Sequence, residues 1–220
     1  MTPTDTLPGI LLVVSGAAGT GKSTVNAGLI LKYPGKYAFS VSATTRLPRP
    51  LEQDGADYHF ISRKEFERKI ADGEMLEYTE YCGNYYGTPV SELSKLEGGR
   101  TLILEVETEG AQNVKRVLPG AVTVFIIPPD YETLRKRLEG RGTNTPEDIR
   151  NRLNKAIHEI RLAEKYDYAV VNRDGGVDEA VSVINGIVES EKRRTSRLPS
   201  GELERMFPEI SEQTGANEKQ

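Results

Sequence analysis

One cysteine, Cys82, stands in 220 residues, with two histidines and no tryptophan. A lone thiol closes no internal disulfide. His59 and His158 lie too far apart to share the ligand spacing of a structural zinc site, and the chain reads as suited to a reducing, cytoplasmic setting. Neither sign of charge dominates. The 29 Lys and Arg residues face 33 Asp and Glu, a net of −4, so nothing draws the whole molecule to nucleic acid or an anionic membrane. Long apolar runs are also missing. Ile10–Val14 and Val122–Ile127 fall far short of the roughly 20 residues of a spanning helix, and MTPTDTLPG lacks the basic-then-apolar pattern of a secretory signal. An apolar share of 37% suits one core with a polar tail.

What is present alternates between two periodicities. Ile10–Val14, Thr101–Val106, Val122–Ile127 and Tyr168–Asn172 are short continuous apolar runs, the pattern of strands buried on both faces. Between them lie helical patterns over Lys22–Lys32, Thr108–Leu118, Asp130–Glu139 and Thr145–Tyr166. The last opens with a Thr cap, Pro146 and Asp148, a capping box. Alternating strands and helices predict an α/β fold with a parallel sheet covered on both faces. Residues 37–90 read differently, as short alternating strands (Tyr37–Ser42, Tyr58–Ile61, Leu76–Tyr81) and a helix capped by Ser62: a small mixed α+β insert. The expected organisation is a single domain over 1–195, with that insert, a helical lid over about 137–155, and a polar tail from 196 to 220.

The most specific motif is Gly16-Ala17-Ala18-Gly19-Thr20-Gly21-Lys22-Ser23, a complete G-x-x-x-x-G-K-S between a strand and a helix. Glycines let successive backbone N–H groups turn inward on phosphate oxygens, and the helix N-terminus adds partial positive charge. Residues 16–24, through Thr24, are thus candidate ATP ligands. Lys22 reaches the outer phosphates and Ser23 offers its hydroxyl to Mg²⁺. The motif names the donor, a nucleoside triphosphate, and leaves the acceptor open.

A second cluster, Ser42-Ala43-Thr44-Thr45-Arg46-Leu47-Pro48-Arg49, sets two arginines three apart on a chain stiffened by proline, an arrangement suited to a terminal phosphate. Gly83-Asn84-Tyr85-Tyr86-Gly87-Thr88 adds two tyrosines in a tight turn. Together with Gly55–Phe60 and Leu138-Glu139-Gly140-Arg141-Gly142, these motifs resemble those of the guanylate kinase family in order and spacing, over about residues 10–190. The resemblance implies a phosphate-loop core, a GMP-binding insert and a lid, with ATP and GMP as substrates, Mg²⁺ as cofactor, and neither nucleic acid nor membrane as partner. By position it implies that Ser42, Arg46, Arg49, Tyr58 and Tyr86 hold the GMP phosphate while Glu77 and Thr88 read the guanine. A carboxylate suits that edge, because guanine presents a ring N–H and an amino group side by side where adenine presents a lone pair.

Phosphoryl transfer spreads negative charge over the moving group, so cationic clamps account for much of its catalysis. The resemblance gives that task to Arg137, Arg141 and Arg152; Asn172, at the end of the last strand, is expected on the adenine side. At the end of Thr101–Val106 come Glu105 and Glu107, where the family usually has Asp-x-Asp. By family position Glu105 is expected near Mg²⁺ and Glu107 on the guanine or acceptor side. A kinase acting on another small phosphate, such as ribose bisphosphate, and a scaffold module that binds peptides without catalysis are the readings left beside this one.

Overall fold

The structure, a computed structural model, describes residues 9–140, 145–198 and 201–207. Five parallel strands form its centre in the order β2-β7-β1-β8-β9: β1 (Ile10–Ser15), β2 (Tyr37–Phe39), β7 (Thr101–Glu105), β8 (Val122–Ile127) and β9 (Tyr168–Val171). β1 is buried throughout, and its side chains divide by parity. Ile10, Leu12 and Val14 pack with Val25, Leu29, Val181 and Ile184 on one face, under α1 (Lys22–Lys32) and α6 (Val177–Lys192). Leu11 and Val13 pack with Ala111, Val114 and Phe125 on the other, under α3 (Thr108–Val117). Register decides where the chemistry falls. Val14 pairs with Glu105 and Ser15 with Phe125, so the ends of β1, β7 and β8 lie abreast and the glycine loop leaves the sheet beside Glu105.

The second sheet, in the order β4-β3-β6-β5, comprises β3 (Ala43–Thr44), β4 (His59–Phe60), β5 (Met75–Tyr81) and β6 (Asn84–Pro89). Its helix α2 (Arg63–Ala71) starts at Ser62, whose hydroxyl accepts from the Glu65 N–H, and Phe66 stacks on Tyr85 with ring centres 5.1 Å apart. The insert expected from residue 37 starts later. Tyr37–Phe39 pairs with β7 in the central sheet, because this segment buries Tyr37 in the main core.

One carboxylate gathers both chain crossings at the neck between the two sheets, beside the seam where α3 packs against β5. Glu92, in the 3₁₀ segment Val90–Gly99 that follows β6, accepts from the Val41 N–H at 2.6 Å and from Lys95 Nζ at 2.6 Å, with His59 Nε2 at 3.5 Å. Lys95 also reaches the Phe39 carbonyl at 3.0 Å. Burial alone would raise the Glu92 pKa; Lys95, the Val41 N–H and His59 outweigh it and hold the group below its ordinary value.

On the far side, α4 (Tyr131–Glu139) and α5 (Pro146–Arg161) pack Leu134, Leu138, Leu153 and Ala156 against Ala17. The capping box of α5 forms between Thr145 and Asp148. The expected polar tail begins instead with structure: Thr195–Arg197 makes a 3₁₀ turn, and Arg197 donates to the Gly120 carbonyl at 2.8 Å and to Glu191 at 3.2 Å. Residues 199–200 and 208–220 of that expectation lie outside the described residues. No described helix is long and apolar enough to cross a membrane.

Candidate active site

The phosphate loop is built against the sheet. Gly19 and Gly21 adopt φ of 86° and 85°, left-handed geometry that favours glycine. Gly16 sits where a Cβ would lie 2.5 Å from the Ile126 carbonyl oxygen. Thr20 Oγ1 donates to the Ala17 carbonyl at 2.8 Å, and Lys22 Nζ folds over the loop onto the carbonyls of Gly16 and Ala17. Asn172 is 3% exposed, and its Nδ2 donates to the Thr20 carbonyl at 2.8 Å. The amide thus ties the end of β9 to the phosphate loop. Ser23 and Thr24 are exposed at the mouth.

At the end of β7, Glu105 turns toward α1. One carboxylate oxygen accepts from Ser23 Oγ at 3.2 Å and the other from Asn26 Nδ2 at 2.8 Å. A hydroxyl and a carboxylate side by side suit a hard divalent cation that keeps most of its waters, so the donor set fits Mg²⁺ despite the longer Glu. Glu107 diverges from Glu105. It caps α3 without a side-chain hydrogen bond and is exposed. It lines two spaces at once, a chamber of about 140 Å³ over the loop and a cleft of about 380 Å³ facing the insert. The chamber is completed by Lys22, Arg152 and Lys155.

The larger cleft gathers Ser42, Tyr58, Glu77, Tyr86 and Glu107, five of the residues that the resemblance assigns to GMP; Arg46, Arg49 and Thr88 are not part of its lining. Glu77 is 7% exposed, and burial raises its pKa against the pull of the Thr88 hydroxyl and N–H. Thr88 lies directly opposite on β6, and its Oγ1 donates to Glu77 Oε1 at 2.7 Å. That hydroxyl has one proton, so in this state Thr88 orients Glu77 rather than presenting a donor to a base. Thr79 and Tyr81 share this face of β5 and line the cleft with Glu109. Their only sequence signal is the two-residue alternation from Glu77.

Arg46 is held by Glu52, a residue the sequence reading did not single out. The guanidinium makes a fork of two 2.9 Å bonds to the Glu52 carboxylate, which also accepts from the Arg49 N–H at 2.7 Å. The Arg46 guanidinium and the Arg49 N–H push Glu52 down to about 2. Arg46 lies 5.5 Å from the ring centre of Tyr58, and Tyr58 meets Tyr86 edge to face at 6.1 Å. Arg49 projects into solvent. Across the loop, Arg137 donates to Asp174 at 2.6 Å and to the Asn172 carbonyl at 3.0 Å. Arg141 lies outside the described residues.

A cleft holding the buried Glu77 carboxylate therefore adjoins the chamber over the phosphate loop, the two sharing Glu107. The guanylate kinase family model matches residues 9–191. This chain belongs to the guanylate kinase family. A guanylate kinase of Latilactobacillus sakei is 47% identical over 191 residues, covering 86% of this chain and 93% of the relative. One of Lactococcus lactis is 49% identical, with 86% and 92% covered. The crystal structure of guanylate kinase from Anaplasma phagocytophilum superposes with a TM-score of 0.71 at 33% identity, covering 92% of this chain and 97% of that one. The guanylate kinase match takes in the phosphate loop, the insert and the arginine-bearing helices α4 and α5 alike.

Proposed function

We propose that this chain transfers the γ-phosphoryl group of ATP to GMP, and to dGMP, giving ADP and the corresponding diphosphate. The observation that carries this reading is Glu77, a carboxylate kept buried and oriented by Thr88 in a cleft that opens through Glu107 onto the phosphate loop. Ionised, it accepts from both the ring N–H and the amino group of guanine. Ser42, Arg46, Arg49, Tyr58 and Tyr86 take the acceptor phosphate at the other end of the cleft. The loop N–H groups and Lys22 hold the outer ATP phosphates. Ser23 and Glu105 would hold Mg²⁺, which would neutralise charge on the phosphate oxygens.

An acceptor phosphate oxygen attacks the γ-phosphorus, and the bond to the β–γ bridging oxygen breaks, leaving ADP. The attacking oxygen is already ionised at neutral pH, so no general base is needed. On this reading Arg137, Arg141 and Arg152 supply positive charge to the transferring group. For Arg137 this means leaving Asp174. Closure over the chamber excludes water as a rival acceptor.

The test is a coupled ADP-release assay with MgATP and GMP, dGMP, AMP, UMP or ribose 1,5-bisphosphate. Turnover is expected with GMP and dGMP alone and is lost in Lys22→Ala. Turnover confined to a different acceptor would remove the guanine assignment and leave a phosphate-loop kinase.

A further inference from the structure

Asn26 occupies an unusual position for an amide. It is 0% exposed on α1, flanked by the fully buried Val25 and Leu29. An aliphatic side chain would serve the core there without a desolvated polar group. Its Nδ2 is accounted for by the 2.8 Å bond to Glu105 Oε2, whereas its Oδ1 is buried with no hydrogen-bond partner among the described residues. A buried amide satisfied on one side only is what a chain keeps for positioning rather than for stability.

Its partner explains the need. Glu105 carries one more methylene than aspartate and therefore one more rotatable bond to fix. Ser23 and Asn26 lie one turn apart on the same face of α1 and take one carboxylate oxygen each. When Ser23 turns its oxygen to a cation, only the Asn26 bond still holds the carboxylate from α1. The enclosed Oδ1 has no route to the mouth of the site, so the amide acts through Glu105 and not on the cation itself. Outer partners of this kind set the direction of a ligand and much of a site's affinity.

We infer that Asn26 is the positioning residue of the magnesium site, holding the Glu105 carboxylate beside the Ser23 hydroxyl. This rests on the proposal that Ser23 and Glu105 hold Mg²⁺. It adds a requirement specific to this chain: the long acidic side chain at 105 works because residue 26 tethers it.

The experiment measures metal and nucleotide binding separately on the full chain. Mn²⁺ affinity for the enzyme–ADP complex is read by electron paramagnetic resonance, and metal-free ADP affinity by calorimetry. Asn26→Leu is expected to weaken Mn²⁺ binding about tenfold while leaving metal-free ADP and GMP affinities unchanged. Glu105→Ala should weaken Mn²⁺ at least as much, and adding Asn26→Leu to it should cost nothing further. If Glu105→Ala leaves Mn²⁺ binding intact, the magnesium assignment falls and this inference with it. If Glu105→Ala weakens Mn²⁺ and Asn26→Leu does not, the inference alone is overturned. It is likewise overturned if Asn26→Leu weakens metal-free ADP to the same extent, or adds fully to Glu105→Ala, since either result marks a purely structural tie. Should Asn26→Leu fail to fold, Asn26→Ala is judged by the same readings.

Discussion

Glu77 shows how one side chain can carry specificity and pH dependence together. Burial raises its pKa, and only the ionised form can accept from two guanine donors. GMP affinity should therefore fall as pH drops through a midpoint above the usual Glu value of about 4.3, while the KM for ATP stays flat across the same range. Initial-rate kinetics against pH check this, and a midpoint at or below the ordinary value contradicts it. Glu77→Gln replaces an acceptor with a donor opposite a donor. Hydrogen bonds to charged groups contribute about 1.5–3 kcal/mol each, so kcat/KM for GMP should fall by roughly 100-fold or more, with ATP binding measured by calorimetry unchanged. Single residues were unevenly legible in the sequence. Lys22 and Arg46 stand in recognisable local strings, whereas Asn26 does not, because its meaning comes from Glu105, 79 residues away. Glu52 is close in sequence to Arg46 but resembles any exposed loop carboxylate until the fork is seen.

Two ties govern elements rather than atoms. Asn172 joins the end of β9 to the phosphate loop through the Thr20 carbonyl. Asn172→Ala removes a buried hydrogen bond and should destabilise the fold by about 1–3 kcal/mol in urea unfolding, while raising the KM for ATP more than that for GMP. Thr145 begins the helix that carries Arg152. Thr145→Ala should cost about 1 kcal/mol of helix stability, seen as faster amide exchange confined to the first turns of α5. The strands of the central sheet are plain in the sequence where they are buried on both faces, because burial on two sides leaves no polar alternation; β1 and β8 are examples. Tyr37–Phe39 is misassigned to the insert because three residues are too few to show which sheet claims them. The 3₁₀ segment Val90–Gly99 has no strong periodicity, and its importance rests on Glu92, whose partners lie on other elements.

At the scale of the whole molecule, acid should act through its ion pairs. Arg46 holds Glu52 down to about 2, Arg68 and Lys69 do the same for Glu74, and Lys36 and Arg193 for Glu189. A lowered folded pKa gives stability that is complete above the unfolded value of about 4.3 and disappears as pH falls toward 2. The thermal midpoint should therefore hold from pH 7 to about 5 and decline below about 4.5, with added salt shrinking the difference because most of these groups face water. Glu77 runs in the opposite direction: its raised pKa means that mild acid favours the fold slightly even as it weakens GMP binding. The neck at Glu92 has a mechanical consequence. The chain enters the insert past Val41 and leaves it past Val90, and one carboxylate and one lysine grip both passages at their root. A second seam runs where α3 packs against β5, so Glu92 is the clasp at the chain's two crossings and not the whole of the join. Ser42, Tyr58, Glu77, Tyr86 and Thr88 all lie beyond that clasp. The acceptor's recognition face is therefore a preassembled unit, its internal spacing set by the small sheet and its flanking turns rather than by the core.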